Sequence, residues 1–390
     1  MPLLGSFTSQ IFTAIAKAGG VYPTVALLHT LNNPNVSGAY GVDPNGDQFG
    51  RSVAISGNYA IVGATQEEMP GSGDNASGMA YIFNVTTGAR IHTLNNPNAY
   101  GTGAFDEFGR SVAISGNYAI VGTSNEDDAG GDESGKAYIF NVTTGALVHT
   151  LNNPTAYGTS GIDVFGTSVA ISGNYAIVGA SLEDDAGGNS SGKAYIYNVT
   201  TGAIVHTLNN PNAYGTSTND YFGSSVSISD NYAVVGAYAE DDAGGTDSGK
   251  AYIFNVTTGA LVQTLNNPTA YGTSAGDQFG GPVAISGNYA VVGAYQEDET
   301  SRLSSGKVYI FNVTNGLLLH TLTNPNAFGT SANDQFGISV AISDNYVIVG
   351  ANLEDDNNGL SAGKSYIYEL PVIPTIPGVQ KQLHTTMVQR

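Results

Sequence analysis

Residues 163–180 read D-V-F-G-T-S-V-A-I-S-G-N-Y-A-I-V-G-A, residues 183–188 read E-D-D-A-G-G, and residues 191–211 read S-G-K-A-Y-I-Y-N-V-T-T-G-A-I-V-H-T-L-N-N-P. The unit holds four short runs rich in β-branched and aromatic residues, each bounded by Gly, Asn, Asp or Pro. S-V-A-I-S is a first strand, Y-A-I-V-G-A a second, K-A-Y-I-Y-N-V a third and I-V-H-T-L a fourth. The turns are short enough to join neighbours as an antiparallel meander. The first three strands are apolar or small on both faces, so the sheet must be covered on both sides, as blades stacked around an axis are.

The unit recurs. Phe-Gly stands at Phe49, Phe108, Phe165, Phe222, Phe279 and Phe336, with a first spacing of 59 and later spacings of 57. A fixed period of this length marks a repeat architecture. The sixth unit runs through a third strand, Lys364 to Tyr368, and stops before Pro371, while the chain opens with a lone fourth strand, Val25 to Leu31. Pairing the two predicts an all-β, six-bladed β-propeller of four-stranded antiparallel blades, closed by the N-terminal strand completing the last blade. A parallel β-helix, the other repeat fold considered, would not need this split. The expected organisation is a tail at 1–23, a propeller over 24–370 and a Pro-rich tail at 371–390.

The D-x-F-G-x-S-V-A-I-S-x-N-Y-A-x-V-G-A string resembles the FG-GAP repeat of integrin α-subunit propellers and bacterial surface proteins. S-G-K-A-Y-I-F looks like the bacterial variety. The resemblance spans roughly residues 25–370 and implies a propeller; it leaves function open. Integrin-type repeats hold calcium on D-x-D-x-D-G loops between strands one and two. Here that turn is only Ser115-Gly116-Asn117 and its equivalents, so the family site does not carry over.

Composition bounds the partners. The 390 residues are 11% charged and 41% hydrophobic, with no Cys, no Trp and a formal charge of −20. That sign disfavours nucleic acid and anionic membranes, and no stretch is long and apolar enough for a membrane helix. No secretory leader is legible at the N-terminus.

Loops between strands two and three and between strands four and one share one face, and they carry the candidate sites. Carboxylates there suggest calcium as the one cofactor: Asp43, Asn45 and Asp47 in the first loop, then Glu126-Asp127-Asp128, Glu183-Asp184-Asp185 and Glu240-Asp241-Asp242, with Glu297 and Glu354 in the later copies. The competing reading is loop closure by the lysine that follows in five units, Lys136, Lys193, Lys250, Lys307 and Lys364. As an exposed pair each would contribute under about 1 kcal/mol. The Asp before each Phe-Gly reads as a turn residue, and the Phe as packing between blades. Tyr40, Tyr100, Tyr157, Tyr214, Tyr271 and Phe328 could stack on a sugar or protein receptor, or each could pin its own loop.

The histidines His29, His92, His149, His206 and His320 fall one per blade, too far apart for metal or triad chemistry. With no Ser-His-Asp cluster, P-loop or H-E-x-x-H, an enzyme is not expected. The five N-V-T sequons, beginning at Asn84 and Asn141, read as turn residues. In the N-terminal tail, Phe7, Ile11, Phe12 and Ile15 define a short amphipathic helix for assembly. The first functional expectation is a structural or attachment protein on a virus particle, its tails docked on other virion proteins within an oligomeric assembly. The second is a secreted or cell-surface bacterial adhesin that binds glycan or protein.

Overall fold

The computed structural model describes residues 27–34, 46–68, 77–97, 105–127, 132–154, 162–185, 188–211, 217–242, 245–268, 275–298, 303–325, 333–355 and 361–371. Over these residues the chain is a six-bladed β-propeller: five antiparallel sheets of four strands each, in sequence order, and a sixth of three. Blade 3 is typical, with strands Ser168–Ser172, Tyr175–Ala180, Lys193–Asn198 and Ile204–Asn209. These agree with the sequence reading to within a residue or two, because turn residues bracket every run. The Ser-Gly-Asn turn joins the first two strands through Gly173, whose φ of 54° is a left-handed value that glycine adopts without penalty.

Successive blades pack face to face, and five hydrophobic clusters each span a pair of them. Phe165 is fully buried between Ile139 and Leu151 of blade 2 and Tyr195 and Tyr197 of its own blade. Its ring centroid lies 5.7 Å from Tyr195 and 6.2 Å from Tyr197, the second contact edge-to-face. The Phe-Gly dipeptide thus wedges blades 2 to 6 each onto the one before it. The following blade comes so close that a methyl on Gly179 would sit 2.0 Å from the Gly223 carbonyl oxygen, so only glycine fits in that second strand.

Polar staples reinforce the stacking from the axis outward. Ser168 donates to the Gly223 carbonyl at 2.7 Å. Asn210 donates to the Asp220 carboxylate at 2.7 Å. At the rim, Nε2 of His149 lies 3.1 Å from the Thr200 carbonyl of the next blade. His92 and His206 repeat that contact at 3.0 Å, and Gln263 makes it through its amide at 2.9 Å. These three histidines are therefore rim hydrogen-bond donors. In the sequons, Asn141 Oδ1 accepts from the backbone of Thr143 and Thr144 at 3.0 and 2.9 Å, which closes the turn after the third strand.

At the ends, the described residues show the contacts of an outer strand on blade 1 but no ladder to the last sheet. Among the described residues the sixth sheet keeps three strands, Ser339–Ser343, Tyr346–Ala351 and Lys364–Glu369, and residues 27–33 form no strand beside it. The segment lies on blade 1. His29 Nε2 is 2.9 Å from the Thr86 carbonyl, Asn33 donates to Asp47 at 2.7 Å, and Leu31 packs on the cluster of Val62, Tyr81 and Phe83. These are the contacts an outer strand makes with the following blade. Val53 and Ile55 on blade 1 are each 67% exposed and Ile367 on blade 6 is 73% exposed, whereas Ile171 and Ile196, at the places of Ile55 and Ile367 in blade 3, are 7% and 0% exposed. The tails, with Phe7, Ile11, Phe12 and Ile15, lie outside the described residues.

Candidate functional site on the loop face

In blades 2 to 6 the acidic loop behind the second strand is built around a buried ion pair. In blade 4, Glu240 is fully buried and Lys250 is 7% exposed. Lys250 Nζ lies 2.5 Å from Glu240 Oε1, and the Tyr252 hydroxyl donates to the same carboxylate at 2.7 Å. The lysine stands at the start of the third strand and the tyrosine two residues on, so both side chains leave one face of the strand toward the glutamate. Blades 2, 3 and 5 repeat the pair at 2.6 Å, from Lys136 to Glu126, Lys193 to Glu183 and Lys307 to Glu297. Blade 6 pairs Lys364 with Glu354 at the same distance. Blade 1 keeps Glu67 and Tyr81, hydrogen-bonded to each other, but carries Met79 in the lysine's place.

Sequence reasoning treated this pair as exposed; it is instead a buried group, for which desolvation sets the energetics. Burial pushes the Glu126 and Glu240 carboxyls above the usual carboxylate range, against the pull of the lysine and the tyrosine. It also raises the Tyr138 and Tyr252 hydroxyls, with the neighbouring glutamate adding to the effect. These tyrosines stay protonated and serve as donors.

The aspartates of the same loops are engaged too. Asp127 Oδ1 accepts the Glu133 backbone N–H at 2.9 Å, and Asp184 and Asp241 accept those of Ser190 and Asp247 at 2.8 and 3.0 Å. Asp185 and Asp242 close the loop through backbone bridges to Gly188 and Gly245. The aspartate before Phe-Gly receives an asparagine amide, as from Asn153 to Asp163 and Asn267 to Asp277, each at 2.8 Å. Burial, then the charge of Glu183 or Glu297, raises Asp163 and Asp277 to about 7. Among the described residues no group of three or more His, Asp or Glu side chains is arranged to hold a metal ion. Asp43, Asn45 and Asp128 lie outside the described residues, as do Tyr40, Tyr100, Tyr157, Tyr214, Tyr271 and Phe328.

Three tyrosines that the sequence reading passed over break the repeat on this face. Tyr221 precedes Phe222, and Tyr238 follows the second strand of the same blade; their rings stack with centroids 5.3 Å apart and planes 17° from parallel. Tyr295 is the counterpart of Tyr238 in blade 5, where a methyl on Gly281 would come 2.7 Å from its ring. All three are half-buried, and burial pushes Tyr238 up to about 12, with Tyr221 and Tyr295 contributing. The turns beside them carry Ser224 Oγ and Gln278 Oε1, buried atoms without a hydrogen-bond partner among the described residues. Blades 2 and 3 have Ser124 and Ser181 where Tyr238 and Tyr295 stand. Comparing equivalent columns between repeats would have exposed this difference. Phe105 and Ile162, at the entry to blades 2 and 3, are 62% and 59% exposed and hold left-handed φ angles of 65° and 62°.

The blades, the Phe-Gly wedge and the glycine-mediated close approach define a repeat propeller whose recurring polar groups maintain the stack. The FG-GAP repeat model matches residues 43–83, 99–140, 155–197, 212–254, 268–311 and 327–368, more than half of the chain. The chain belongs to the FG-GAP repeat family. It is also 26% identical over 259 residues to a protein named Porin from Rhodobacter capsulatus, an alignment covering 65% of this chain and 73% of that protein.

Proposed function

We propose that the chain is a non-enzymatic binding scaffold, displayed on a virus particle as a structural or attachment component, with the loop face turned toward its receptor. The observation that carries the binding role is the half-buried cluster of Tyr221, Tyr238 and Tyr295. Groups that recur in every blade serve the stack, whereas these rings are confined to blades 4 and 5 and lie beside unpartnered polar atoms. Rigid aromatic rings with polar tips suit a saccharide or protein surface. The −20 charge supports a displayed, soluble surface.

A bacterial cell-surface adhesin is the second reading, favoured by the similarity to a bacterial Porin. The described strands here are five to eight residues long and sit in separate sheets, while a strand crossing a membrane takes about 9–11 residues. This supports display at a surface over pore formation.

The test replaces Tyr238 and Tyr295 with serine, the residue blades 2 and 3 use. The double variant is expected to keep its melting temperature and lose at least about tenfold in binding to host cells, the 1.4 kcal/mol equivalent of part of one aromatic contact. Unchanged cell binding would remove the cluster from the receptor face. Gold-labelled antibody on purified particles tests the location separately, and particles without label would reject the virion reading in favour of the cell surface.

A further inference from the structure

The two inner turns of blades 1 and 2 differ from the rest in charge. The residue after Phe-Gly is Arg51 and Arg110 in these blades, and Thr167, Ser224, Gly281 and Ile338 in the others. Only twelve basic residues balance thirty-two acidic ones, and five lysines are spent in glutamate pairs. Yet both arginines line one open cleft of about 490 Å³ with Gln48, Phe49, Thr65, Gln66 and Glu107. That volume falls within the range of small-molecule sites, roughly 300–1,000 Å³.

The lining is arranged. Thr65 donates to Gln48 Oε1 at 3.0 Å, and Gln66 Nε2 lies 3.3 Å from Glu107 Oε1. Arg110 forms an ion pair with Glu107. Arg51 has no carboxylate partner among the described residues and is exposed. A guanidinium presents a planar fork of donors that matches a carboxylate. Holding Gln48 Oε1 on Thr65 fixes the amide plane, so its Nε2 is oriented as a further donor.

We infer that this cleft binds a monoanionic, hydroxylated ligand of the sugar-acid class, its carboxylate on Arg51 and its hydroxyls on Gln48, Gln66 and Glu107. Glu107 decides between anions. A carboxylate within the lining repels a phosphate dianion but accepts hydroxyl donors, so a single negative charge on a polyhydroxylated ring suits the site. Phe49 supplies an apolar patch for the ring's C–H face. The inference deepens the surface-binding reading by naming a ligand class, and it concerns a cleft separate from the tyrosine cluster.

Titration of the full chain with D-glucuronate, followed by calorimetry and by the arginine side-chain NMR signals, tests it. The expected result is saturable binding with Kd of about 0.1–10 mM, weakened at least tenfold in both Arg51→Gln and Arg110→Gln, and unchanged in Arg90→Gln outside the cleft. Glucose should bind at least tenfold more weakly than glucuronate, and so should inorganic phosphate. Absence of saturation, or full retention in Arg51→Gln with native melting, would overturn the site. Glucose binding as well as glucuronate would overturn the role of charge, and phosphate binding as well would overturn the sugar-acid assignment. Because these readouts need no particle or cell, failure of the cleft and failure of the surface-display reading are separable.

Discussion

Replacing Lys250 with methionine removes one partner of a pair in which Glu240 is fully buried. An exposed ion pair would lose about 0.2–1 kcal/mol, whereas leaving a buried carboxylate uncompensated costs about 3–5 kcal/mol. The Tyr252 hydroxyl, 2.7 Å from both Glu240 oxygens, still donates its one proton to the carboxylate, so the lower end, about 3 kcal/mol, is expected. Blade 1 tolerates the same arrangement, with Met79 in the lysine's place and the Tyr81 hydroxyl on Glu67. Glu240→Gln combined with Lys250→Met should recover most of the loss, to within about 1.5 kcal/mol of the parent, since exchanging a buried pair for neutral groups is often close to neutral.

The pH dependence sharpens the expectation. Burial already raises the Glu240 carboxyl above its unfolded value, and removing the lysine raises it further. A carboxyl with a raised folded pKa favours the fold while protonated and loses that contribution as pH rises through the folded pKa. The cost of Lys250→Met therefore grows as pH rises above the unfolded carboxyl range and shrinks as pH falls toward it. Guanidinium unfolding followed by near-UV tyrosine dichroism, with 23 tyrosines and no tryptophan as reporters, gives the difference provided the slope m is unchanged. Native-state hydrogen exchange of blade 4 reports the local opening if unfolding is not two-state. A loss under about 1 kcal/mol at pH 8, or a double variant as unstable as the single, would refute the buried-pair account.

Other expectations follow from the same geometry. Asp163 and Asp277, raised to about 7, hold protons in the fold that the unfolded chain releases near pH 4, so they contribute stability at low pH that fades as pH rises toward 7. The melting temperature should fall between about pH 4 and 7, and Asp163→Asn with Asp277→Asn should flatten that fall by on the order of 2 kcal/mol per residue. Ile162 holds a φ of 62°, where blades 4 and 6 place Asn219 and Asn333; Ile162→Asn should stabilise by about 1 kcal/mol in the same unfolding assay. His149→Gln should be neutral, as Gln263 makes the rim contact unaided, while His149→Leu should cost about 1 kcal/mol. Equal effects of the two histidine variants would rule out the donor role.

Local pattern made the strands legible because each strand is a short apolar run between turn residues, and the period of 57 made the blades countable. The polar staples were not legible. His149 and Thr200 are 51 residues apart, and Ser168 and Gly223 are 55 apart, so they meet only once blades stack at that period. The Lys–Glu pair was identified by proximity in the sequence but placed in water, because its burial comes from the neighbouring blade. The candidate binding residues escaped for the opposite reason. Tyr238 and Arg51 look unremarkable in a single unit and stand out only against their counterparts in the other blades.

That contrast separates scaffold from recognition more generally in this chain. A group present in every blade is repeated around the axis, so no single copy is distinguished as a binding site, and the Glu–Lys–Tyr clusters and rim histidines are accounted for by contacts that hold the stack. The exceptions fall in two places, the tyrosines of blades 4 and 5 and the arginines of blades 1 and 2. A third irregularity lies at the seam. Residues 29–33 reproduce the histidine, leucine and asparagine contacts of an outer strand on blade 1, yet among the described residues they have no ladder to the Lys364–Glu369 strand. The five internal blade interfaces are packed, whereas Val53, Ile55 and Ile367 remain in solvent on either side of the seam. Stability in such an array is a sum of nearest-neighbour interfaces. The seam is accordingly where opening should begin, and the arginine cleft, one blade interface away, is the proposed site nearest to that opening.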